Sequence, residues 1–457
     1  MEFEIVDKTP IFQAFSELGK RIFLPDGIFY WSGRAKKEAD IIGTIGSAFG
    51  FEKDFIDGGE ERWVPCYLKD IKQFFNADVT NIVPYASIPG LIENRKKWKD
   101  WVIKKSQFID RYRNKKEIFE KFLTLPFLTP GITFGIYTCC SMFLNRGEFI
   151  ISPDKRWGNY DNIIEKNLGA KIQSFTFFKD EKIDIESLKK AIKEVSKTQD
   201  KIVLLLNFPN NPTGYIPTKS EAAELITLFK NTAETLQKPI VIICDDAYEG
   251  YPYDPEGIEI SLFYDLIDLD ENIIPIKLDG ITKELLMYGG RIGAITIGLH
   301  KKWFVSDSDL EKCKAELENK FSGFIRSTVS NSNIFYQTVL NALLSEEKIE
   351  LTLQNRKKVE DMLKDRYKLI NSELKKIDSD EISIDPNRGG FFLFVNLRTI
   401  KATEFADLLL RKYRVGVIPI EKPQLGINGF RIAYCSIDIE KIPELVSRIQ
   451  EALKEYN

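Results

Sequence analysis

Two short apolar runs enclose one amphipathic stretch in the middle of the chain, and this pattern constrains the fold most strongly. Residues Ile202–Leu206 and Ile240–Cys244 are uninterrupted apolar segments bounded by turn-forming residues, as expected for strands covered on both faces. Between them, the apolar residues of Lys219–Leu236 recur at three- and four-residue spacing, which is typical of an amphipathic helix. This order of strand, helix and strand predicts the α/β class, with a mainly parallel sheet flanked by helices.

The pattern of the chain changes at about residue 330. Before this point, the apolar run Ala294–Gly298 still predicts a strand of the sheet. After it, the charged stretch Gln337–Lys375 carries an apolar stripe and predicts one long helix. Strands are predicted at Phe391–Asn396 and Val415–Pro419, and a closing helix at Lys441–Glu455.

Two domains follow from this division. A length of 457 residues is too great for one small core. We expect a large domain at residues 61–330 and a smaller α+β domain at residues 331–457. Residues 1–60 are expected to join the smaller domain.

Composition and charge argue against several classes of protein. The 65 basic and 68 acidic residues nearly balance and are spread along the chain, so we expect no nucleic-acid or anionic-membrane partner. Basic clusters at residues 95–97 and 114–116 are interpreted as solvated helix faces. The apolar runs are too short to span a bilayer, and the first 20 residues lack the pattern of a signal peptide.

The cysteines and the histidine narrow the chemistry further. The six cysteines show no CxxC spacing, which indicates reduced thiols and a cytoplasmic location rather than disulfides or zinc. His300 is the one histidine of the sequence. A Ser-His-Asp triad, a Cys-His pair and a multi-histidine metal site are therefore not expected. We predict no metal, and another kind of residue must move protons if the chain is an enzyme.

The segment Asn207–Gly214 reads N-F-P-N-N-P-T-G and directly follows a predicted buried strand. Its prolines, asparagines and glycine predict a rigid loop at the carboxyl end of that strand. Ligands of open α/β sheets bind at that edge. A plain turn is the alternative interpretation of the same residues.

A second motif, Asp245-Asp246-Ala247-Tyr248, ends the next predicted strand. A carboxylate in a poorly hydrated site stabilises the protonated form of a partner, so Asp245 can hold a cationic ring nitrogen. The alternative is that this aspartate caps the start of a helix.

A third motif places Lys283 among small and apolar residues, with Arg291 eight positions later in the turn Gly289-Gly290-Arg291-Ile292-Gly293. A desolvated lysine has a lowered pKa and becomes a nucleophile towards carbonyl groups. An arginine in a glycine turn can present its guanidinium to a phosphate. Taken singly, both residues are equally typical of surface charges.

Together, these motifs and a late G-x-R at residues 429–431 resemble, in order and spacing, the class I/II aminotransferases of fold type I. The resemblance is greatest to the aspartate aminotransferase branch and covers roughly Tyr85 to Arg431. It implies a large domain with a mainly parallel seven-stranded sheet, a smaller α+β domain, and the cofactor pyridoxal 5'-phosphate. It also implies a homodimer with composite active sites.

The resemblance implies a role for each matched residue. Lys283 matches the lysine that forms a Schiff base with the cofactor and then shuttles the substrate proton. Asp245 matches the carboxylate that keeps the pyridine nitrogen protonated. Tyr248 and Asn211 match the groups bonded to the phenolic oxygen of the ring, and Arg291 matches a phosphate ligand.

Further cofactor contacts are implied upstream. The segment around Ile132 and Thr133 resembles the helix start beneath the phosphate, where free backbone N–H groups bind the anion and Thr133 adds its hydroxyl. Trp157 matches the aromatic residue stacked on the ring, although a core tryptophan is the alternative. Tyr85 matches a tyrosine that reaches the phosphate of the neighbouring subunit.

Three residues are implied in substrate binding. Arg431 matches the arginine that grips the α-carboxylate, and Gly46 lies in a segment that resembles the one closing over it. Arg326 has the spacing of the arginine with which the partner subunit of aspartate aminotransferases binds a distal carboxylate. A surface or helix-capping arginine is the alternative.

One position departs from the family pattern. Many relatives have a hydroxyl residue three positions before the Schiff-base lysine, where this chain has Gly280. The phosphate contact is then lost, or it is supplied by Thr282 or Ser330.

The reaction implied by the resemblance is ping-pong transamination between an L-amino acid and a 2-oxo acid, with dicarboxylic substrates such as aspartate, glutamate and 2-oxoglutarate if Arg326 has its matched role. A lysine as general base also fits a chain with one histidine. A lyase or decarboxylase with the same cofactor is the first alternative. A regulator derived from the same fold is the second, and the lack of a basic helix-turn-helix segment before Tyr85 argues against it.

Overall fold

A computed structural model describes residues 8, 10–22, 27–69, 71 and 78–456. The described strands are β1 (Ile41–Ile42), β2 (Phe49–Phe51), β3 (Trp63–Pro65), β4 (Phe127–Thr129), β5 (Phe149–Pro153), β6 (Lys171–Phe175), β7 (Phe178–Lys179), β8 (Lys182–Ile183), β9 (Ile202–Asn207), β10 (Ile240–Asp245), β11 (Ile273–Gly280), β12 (Gly293–Ile297), β13 (Ile382–Ile384), β14 (Leu393–Leu397), β15 (Val415–Gly416), β16 (Ile418–Lys422) and β17 (Ile427–Ile432).

The described α-helices are α1 (Pro10–Ala14), α2 (Glu17–Arg21), α3 (Ile28–Glu38), α4 (Glu52–Phe55), α5 (Val79–Ile82), α6 (Ile92–Gln107), α7 (Lys116–Phe122), α8 (Ile132–Phe143), α9 (Asn159–Asp161), α10 (Ile185–Ser196), α11 (Lys219–Leu236), α12 (Phe263–Leu266), α13 (Ile281–Glu284), α14 (Asp307–Thr328), α15 (Ile334–Leu343), α16 (Ile349–Leu374), α17 (Ala402–Arg411) and α18 (Ile442–Leu453). None of the helices in the described part of the chain is long and apolar enough to cross a membrane.

The larger sheet has seven strands in the order β4-β12-β11-β10-β9-β5-β6. Strand β10 pairs in parallel with β9 and β11, whereas β12 is antiparallel to both of its neighbours. Every residue of β9 and β10 is buried, because helices cover both faces of the sheet. The predicted mainly parallel sheet is confirmed, and β12 is its reversed strand.

The helix between β9 and β10 has the predicted bounds, Lys219–Leu236. Thr218 and Glu221 form a capping box at its start, which satisfies backbone N–H groups that would otherwise lack partners. Its buried residues recur at three- and four-residue spacing, so the apolar stripe that predicted the helix is the face that packs in the core.

A four-stranded antiparallel sheet follows in the order β13-β14-β17-β16. The prediction of one helix from Gln337 to Lys375 is wrong, because α15 ends at Leu343 and α16 begins at Ile349. A polar turn separates the two helices, and the Thr352 hydroxyl donates to the Leu343 carbonyl at 3.0 Å. The predicted strand Val415–Pro419 is divided as well, since β15 pairs with β1 while β16 pairs with β17.

The carboxyl ends of three neighbouring strands meet at one edge of the larger sheet. Asn207 at the end of β9 lies opposite Asp245 at the end of β10. Strand β11 ends at Gly280, and α13, which contains Lys283, begins at the next residue. Ligands of open α/β sheets bind at this edge, so the sheet brings the predicted motifs together.

Candidate active site

The Asp245 carboxylate is buried at the carboxyl end of β10. It accepts hydrogen bonds from the Tyr160 hydroxyl and, at 3.2 Å, from the Ala247 N–H. Burial raises the pKa of Asp245, and the Tyr160 hydrogen bond opposes this rise. The alternative of a helix cap is excluded, because no helix begins within the turn that follows.

Lys283 lies in the single turn α13 and points its ammonium towards the Tyr248 ring, whose centroid is 5.1 Å from Nζ. The pKa of Lys283 is lowered to about 8, mainly because the residue is buried; the Asp245 charge opposes this shift, and the Arg291 charge adds to it. At pH 7 about a tenth of a lysine with this pKa is the neutral amine that a nucleophile or base requires, far more than of an ordinary lysine.

The Asn211 side chain interacts with the Tyr248 hydroxyl and opposes the rise of its pKa. The Tyr248 ring is buried between Phe391 and Phe392, with edge-on contacts at centroid distances of 5.3 and 5.4 Å. Burial raises the pKa of Tyr248 well above its ordinary value, so its hydroxyl remains a hydrogen-bond donor at neutral pH.

Arg431 lies on β17 and reaches the same group of residues. Its Nη1 donates to Asn211 Oδ1 at 3.1 Å, and its Nη2 donates to the Thr44 carbonyl at 3.0 Å. The guanidinium carbon is 4.2 Å from the Phe392 ring centroid. Arg431 is 4% exposed, and burial lowers its pKa.

Two buried polar atoms beside this arginine lack partners among the described residues. They are Arg431 Nε and the Thr44 hydroxyl oxygen. An unpaired buried donor costs about 1–3 kcal/mol, and more for a charged group. A bound carboxylate would remove this cost, because it accepts hydrogen bonds from a guanidinium and a hydroxyl at once.

Gly46 lies in the segment that follows Thr44. A Cβ at this position would stand 2.9 Å from the Phe392 ring, closer than the packing of a side chain allows. The glycine therefore lets the segment approach the ring under the Arg431 guanidinium, which agrees with its predicted place beside the carboxylate site.

The start of α8 lies against Arg291. Gly131 precedes the helix with φ 81°, and a Cβ there would stand 2.2 Å from Arg291 Nη2. A Cβ at Gly293 would be 2.6 Å from the Ile132 backbone nitrogen. No side chain caps this helix start, so the backbone at Ile132 and Thr133 presents N–H groups to an anion beside a guanidinium.

Trp157 lies one turn before Tyr160 and is partly exposed at the site edge. The two rings are edge-on, with 5.6 Å between their centroids. Trp157 also packs against the hydrophobic core, so its partial exposure does not decide between a core and a ring-stacking residue, and its predicted role stays a prediction.

Gly280 departs from the family pattern for a steric reason. A Cβ at this position would stand 2.5 Å from the Ile292 carbonyl oxygen and 2.8 Å from the Gly293 Cα. A hydroxyl side chain does not fit between β11 and β12 here. Of the two predicted substitutes, Thr282 is buried beside Lys283, while the Ser330 hydroxyl accepts from Arg326 Nη1 at 2.6 Å.

Tyr85 and Arg326 are not brought to the other site residues within this chain. Tyr85 is 91% exposed. Arg326 lies in the last turn of α14, and its Ser330 contact is exposed. Both positions face outward, where residues that act on a neighbouring subunit would lie, and their predicted roles stay predictions.

Sequence reasoning missed four residues of the site: Tyr160, Thr44, Asn207 and Phe392. The Asn207 amide donates to the Asp245 carbonyl at 2.8 Å and accepts from the Asn211 N–H at 2.8 Å. A polar residue at the end of a buried strand, in register with Asp245, is a signal that could have identified it. The contacts of the other three depend on tertiary structure.

Comparison with known proteins decides the family. The family described as aminotransferase class I and II matches residues 106–449. The chain belongs to this family. An aspartate aminotransferase of Pyrococcus horikoshii is 28% identical over 336 residues, which cover 72% of this chain and 75% of that protein. Aromatic-amino-acid aminotransferase 2 of Thermococcus litoralis is 23% identical over 332 residues, or 72% of this chain and 76% of that protein.

Solved structures agree with this family. An aminotransferase from Anaerococcus prevotii superimposes with a TM-score of 0.78 at 26% identity, covering 94% of this chain and 98% of that chain. A kynurenine aminotransferase from Pyrococcus horikoshii, at 18% identity, shares the fold with a TM-score of 0.75 and covers 98% of each chain. The predicted aminotransferase activity and fold-type I architecture are therefore confirmed.

Proposed function

We propose that this aminotransferase uses pyridoxal 5'-phosphate held by Lys283 and binds the α-carboxylate of its substrates through Arg431. The observation that carries the proposal is the pair of unpartnered buried atoms, Arg431 Nε and Thr44 Oγ1, beside a lysine whose pKa is lowered to about 8. An amine nucleophile at the edge of the larger sheet and a carboxylate-binding arginine on β17 are what an amino-acid transaminase requires.

The residues present fit the cofactor. The free N–H groups at Ile132 and Thr133, with Arg291 against Gly131, provide a cradle for a phosphate. Asp245 would pair with the pyridine nitrogen, and Trp157 would stack on the ring. Tyr248 and Asn211 would bind its phenolic oxygen.

Each residue then contributes a defined step. When bound, the cofactor withdraws electrons from the substrate carbon that loses its proton. Arg431 and Thr44 fix the substrate carboxylate, which orients the Cα–H bond. Lys283 Nζ takes the Cα proton once the substrate amine has displaced it. Asp245 retains the positive charge of the ring nitrogen, while Tyr160 holds the Asp245 carboxylate in place.

The sequence of substrates is proposed as ping-pong: an amino acid leaves as its 2-oxo acid before a second 2-oxo acid enters. We propose dicarboxylic substrates, because proteins named aspartate aminotransferase are among those similar to this chain. In addition, Arg326 is exposed, and Ser330 is its one side-chain partner among the described residues. Arg326→Ala is expected to lower kcat/KM for aspartate about tenfold or more, the value of one charge-assisted contact, and to spare monocarboxylic substrates. Unchanged dicarboxylate activity would contradict this role.

We further propose a homodimer in which Tyr85 reaches the phosphate of the neighbouring site. The exposed apolar side chains Val79, Val83, Tyr85 and Ile92 support a buried interface at this surface.

We also propose a cytoplasmic location, which is supported by six free thiols, five of them buried.

The proposed domain division is residues 61–330 and 331–457, with residues 1–60 joining the second unit. It is supported by the pairing of β1 with β15 and by the position of α3 beside β15, where Ala35 contacts Gly416. Residues 1–7, 9, 23–26, 70, 72–77 and 457 lie outside the described part of the chain.

The test of the reaction is spectroscopic. The purified protein, loaded with pyridoxal phosphate, is mixed with single amino acids in the absence of any 2-oxo acid. Bleaching of the visible band by particular amino acids, with recovery on adding 2-oxoglutarate or pyruvate, is the expected result. A visible band that no amino acid converts would contradict transamination and favour the lyase alternative.

A further inference from the structure

A network of buried charges lies directly behind the proposed site. One face of α6 contributes Trp98, Trp101 and Lys105, spaced by three and four residues. Trp98 Nε1 donates to Asp279 Oδ1 at 2.7 Å, and Trp101 Nε1 donates to Glu284 Oε1 at 2.7 Å. This helix face therefore holds acidic residues that follow the strands of the sheet.

Lys105 forms two ion pairs on this face of α6. Its Nζ donates to Glu249 Oε2 at 2.5 Å and to Glu284 Oε1 at 2.7 Å. Lys105 is 9% exposed, and both carboxylates are buried. Ion pairs enclosed in this way are screened little by solvent, and losing one partner is far more costly than at a surface.

The two acids that Lys105 joins stand next to the proposed catalytic residues. Glu249 directly follows Tyr248, and Glu284 directly follows Lys283. The two segments come from different strand ends, and Lys105 reaches both with one ammonium group. Lys105 is therefore one of the contacts that join these segments, together with the Tyr251 hydroxyl, which donates to the Lys283 carbonyl at 2.7 Å.

The second buried lysine of the network, Lys277, forms no ion pair with Glu284 in the described part of the chain. Its Nζ contacts Asp246 at 2.6 Å and Glu249 at 2.8 Å, in the segment that carries Tyr248, and Asp279 of β11 at 3.8 Å. On the Lys283 side, Arg356 donates to the Glu284 carbonyl at 2.9 Å and to the Gly250 carbonyl at 2.8 Å. Arg356 thus restrains the two backbones, whereas Lys105 neutralises and holds the two side chains.

We propose that Lys105 is a positioning residue of the reaction: it fixes Tyr248 relative to Lys283 by bridging Glu249 and Glu284. Without the ammonium, two carboxylates whose oxygens lie within 4.8 Å of each other would repel and separate the segments. The charged groups that shift the pKa of Lys283 are Asp245 and Arg291, and neither belongs to this network. The effect of Lys105 therefore passes through geometry.

The inference rests on the proposed roles of Lys283 and Tyr248 and is tested with Lys105→Met. Arg95→Met is the matched control, because Arg95 is a buried cation of the same helix that contacts Pro126 and Glu318 instead. We expect kcat to fall about tenfold to 100-fold, since a displacement of about 1 Å costs rates of this order. KM should change less than about threefold, because Arg431 is held by other contacts.

A second readout separates positioning from general destabilisation. The visible absorbance of the cofactor-loaded protein is titrated with pH, and Lys105→Met should raise the midpoint by about half a pH unit or more, because a weakened Tyr248 hydrogen bond stabilises the deprotonated form less. Arg95→Met should lower the melting temperature without moving the midpoint. Equal midpoints in both variants and the parent would overturn the inference.

Two further outcomes are assigned in advance. If Lys105→Met does not fold, Glu284→Gln replaces it. The amide retains an oxygen for Trp101 and Lys105 but weakens the charged bridge. A midpoint and a kcat identical to those of the parent would again overturn the inference. If Lys283→Ala keeps the parent absorbance, the proposed function fails instead. A parent that binds cofactor through Lys283 while Lys105→Met behaves as Arg95→Met refutes the positioning role alone.

Discussion

Arg431 Nη1 donates to Asn211 Oδ1 at 3.1 Å, which joins the proposed carboxylate-binding arginine to a residue of the proposed cofactor ring site. The two residues lie 220 positions apart, on β17 and in the loop after β9. Because the Asn211 side chain also interacts with the Tyr248 hydroxyl, Asn211 links the proposed carboxylate site to the proposed ring site.

Arg431→Lys should lower kcat/KM for amino-acid substrates about tenfold to 100-fold. The lysine retains the charge but loses the bidentate geometry, and each hydrogen bond to a charged group is worth about 1.5–3 kcal/mol. Steady-state kinetics check this, with Arg388→Lys as the control because Arg388 donates to the Ile216 carbonyl away from the site. Equal losses in both variants would refute the carboxylate role.

Tyr160→Phe should lower kcat about tenfold or more. The Tyr160 hydroxyl is a donor to the buried Asp245 carboxylate and lowers its pKa, so removing it lets burial raise that pKa further. A protonated Asp245 no longer stabilises a cationic ring nitrogen. Tyr253→Phe is the control, because the buried Tyr253 hydroxyl has no hydrogen-bond partner among the described residues; similar kcat values for the two variants would count against the Asp245 role.

The rate at which cofactor-free protein captures pyridoxal phosphate should depend on pH with a midpoint near the pKa of Lys283, about 8. Burial disfavours the charged ammonium, so the neutral amine is about half populated at pH 8, against about 0.3% for an ordinary lysine. The rate should fall about tenfold per pH unit below this midpoint and level off above it. Stopped-flow absorbance measures it, and a rate still rising steeply at pH 10 would show an unperturbed lysine.

Hybrid dimers test the composite site. Tyr85→Ala should weaken cofactor binding, because a phosphate contact is lost, while Lys283→Ala should be inactive. If Tyr85 acts across the interface, mixed dimers of the two variants contain one site with both parental residues. Their activity per site should then exceed that of the Tyr85→Ala homodimer; no gain on mixing would mean that Tyr85 does not act on the partner.

The strands and helices of the middle of the chain could be predicted because their apolar pattern reflects burial directly. Strand β10 was predicted to within one residue, and α11 at its observed bounds. The break between α15 and α16 was missed, because the apolar stripe continues across a polar turn. Arg95, interpreted as part of a solvated face, is 2% exposed and paired with Glu318, since charge alone does not reveal a buried partner.

The order of the motifs predicted that these residues lie close together, because each motif comes directly after one of two neighbouring strands. Asp245, Tyr248 and Lys283 are brought together by β10 and β11 as expected. Tyr160, Thr44 and the Lys105 bridge could not be predicted, because their contacts join segments distant in sequence. The glycine at position 280 could be read from the sequence, but the reason for it could not. A Cβ there would stand 2.5 Å from the Ile292 carbonyl oxygen, and only the structure shows this contact.

The most direct test is to identify the residue that carries the cofactor. The protein is loaded with pyridoxal phosphate, reduced with borohydride, digested, and its peptides are analysed by mass spectrometry, with Lys283→Ala treated in parallel. The account predicts the reduced cofactor on Lys283 in the parent and on no lysine in the variant. Labelling of another lysine in the parent, or an unchanged label in the variant, would contradict it.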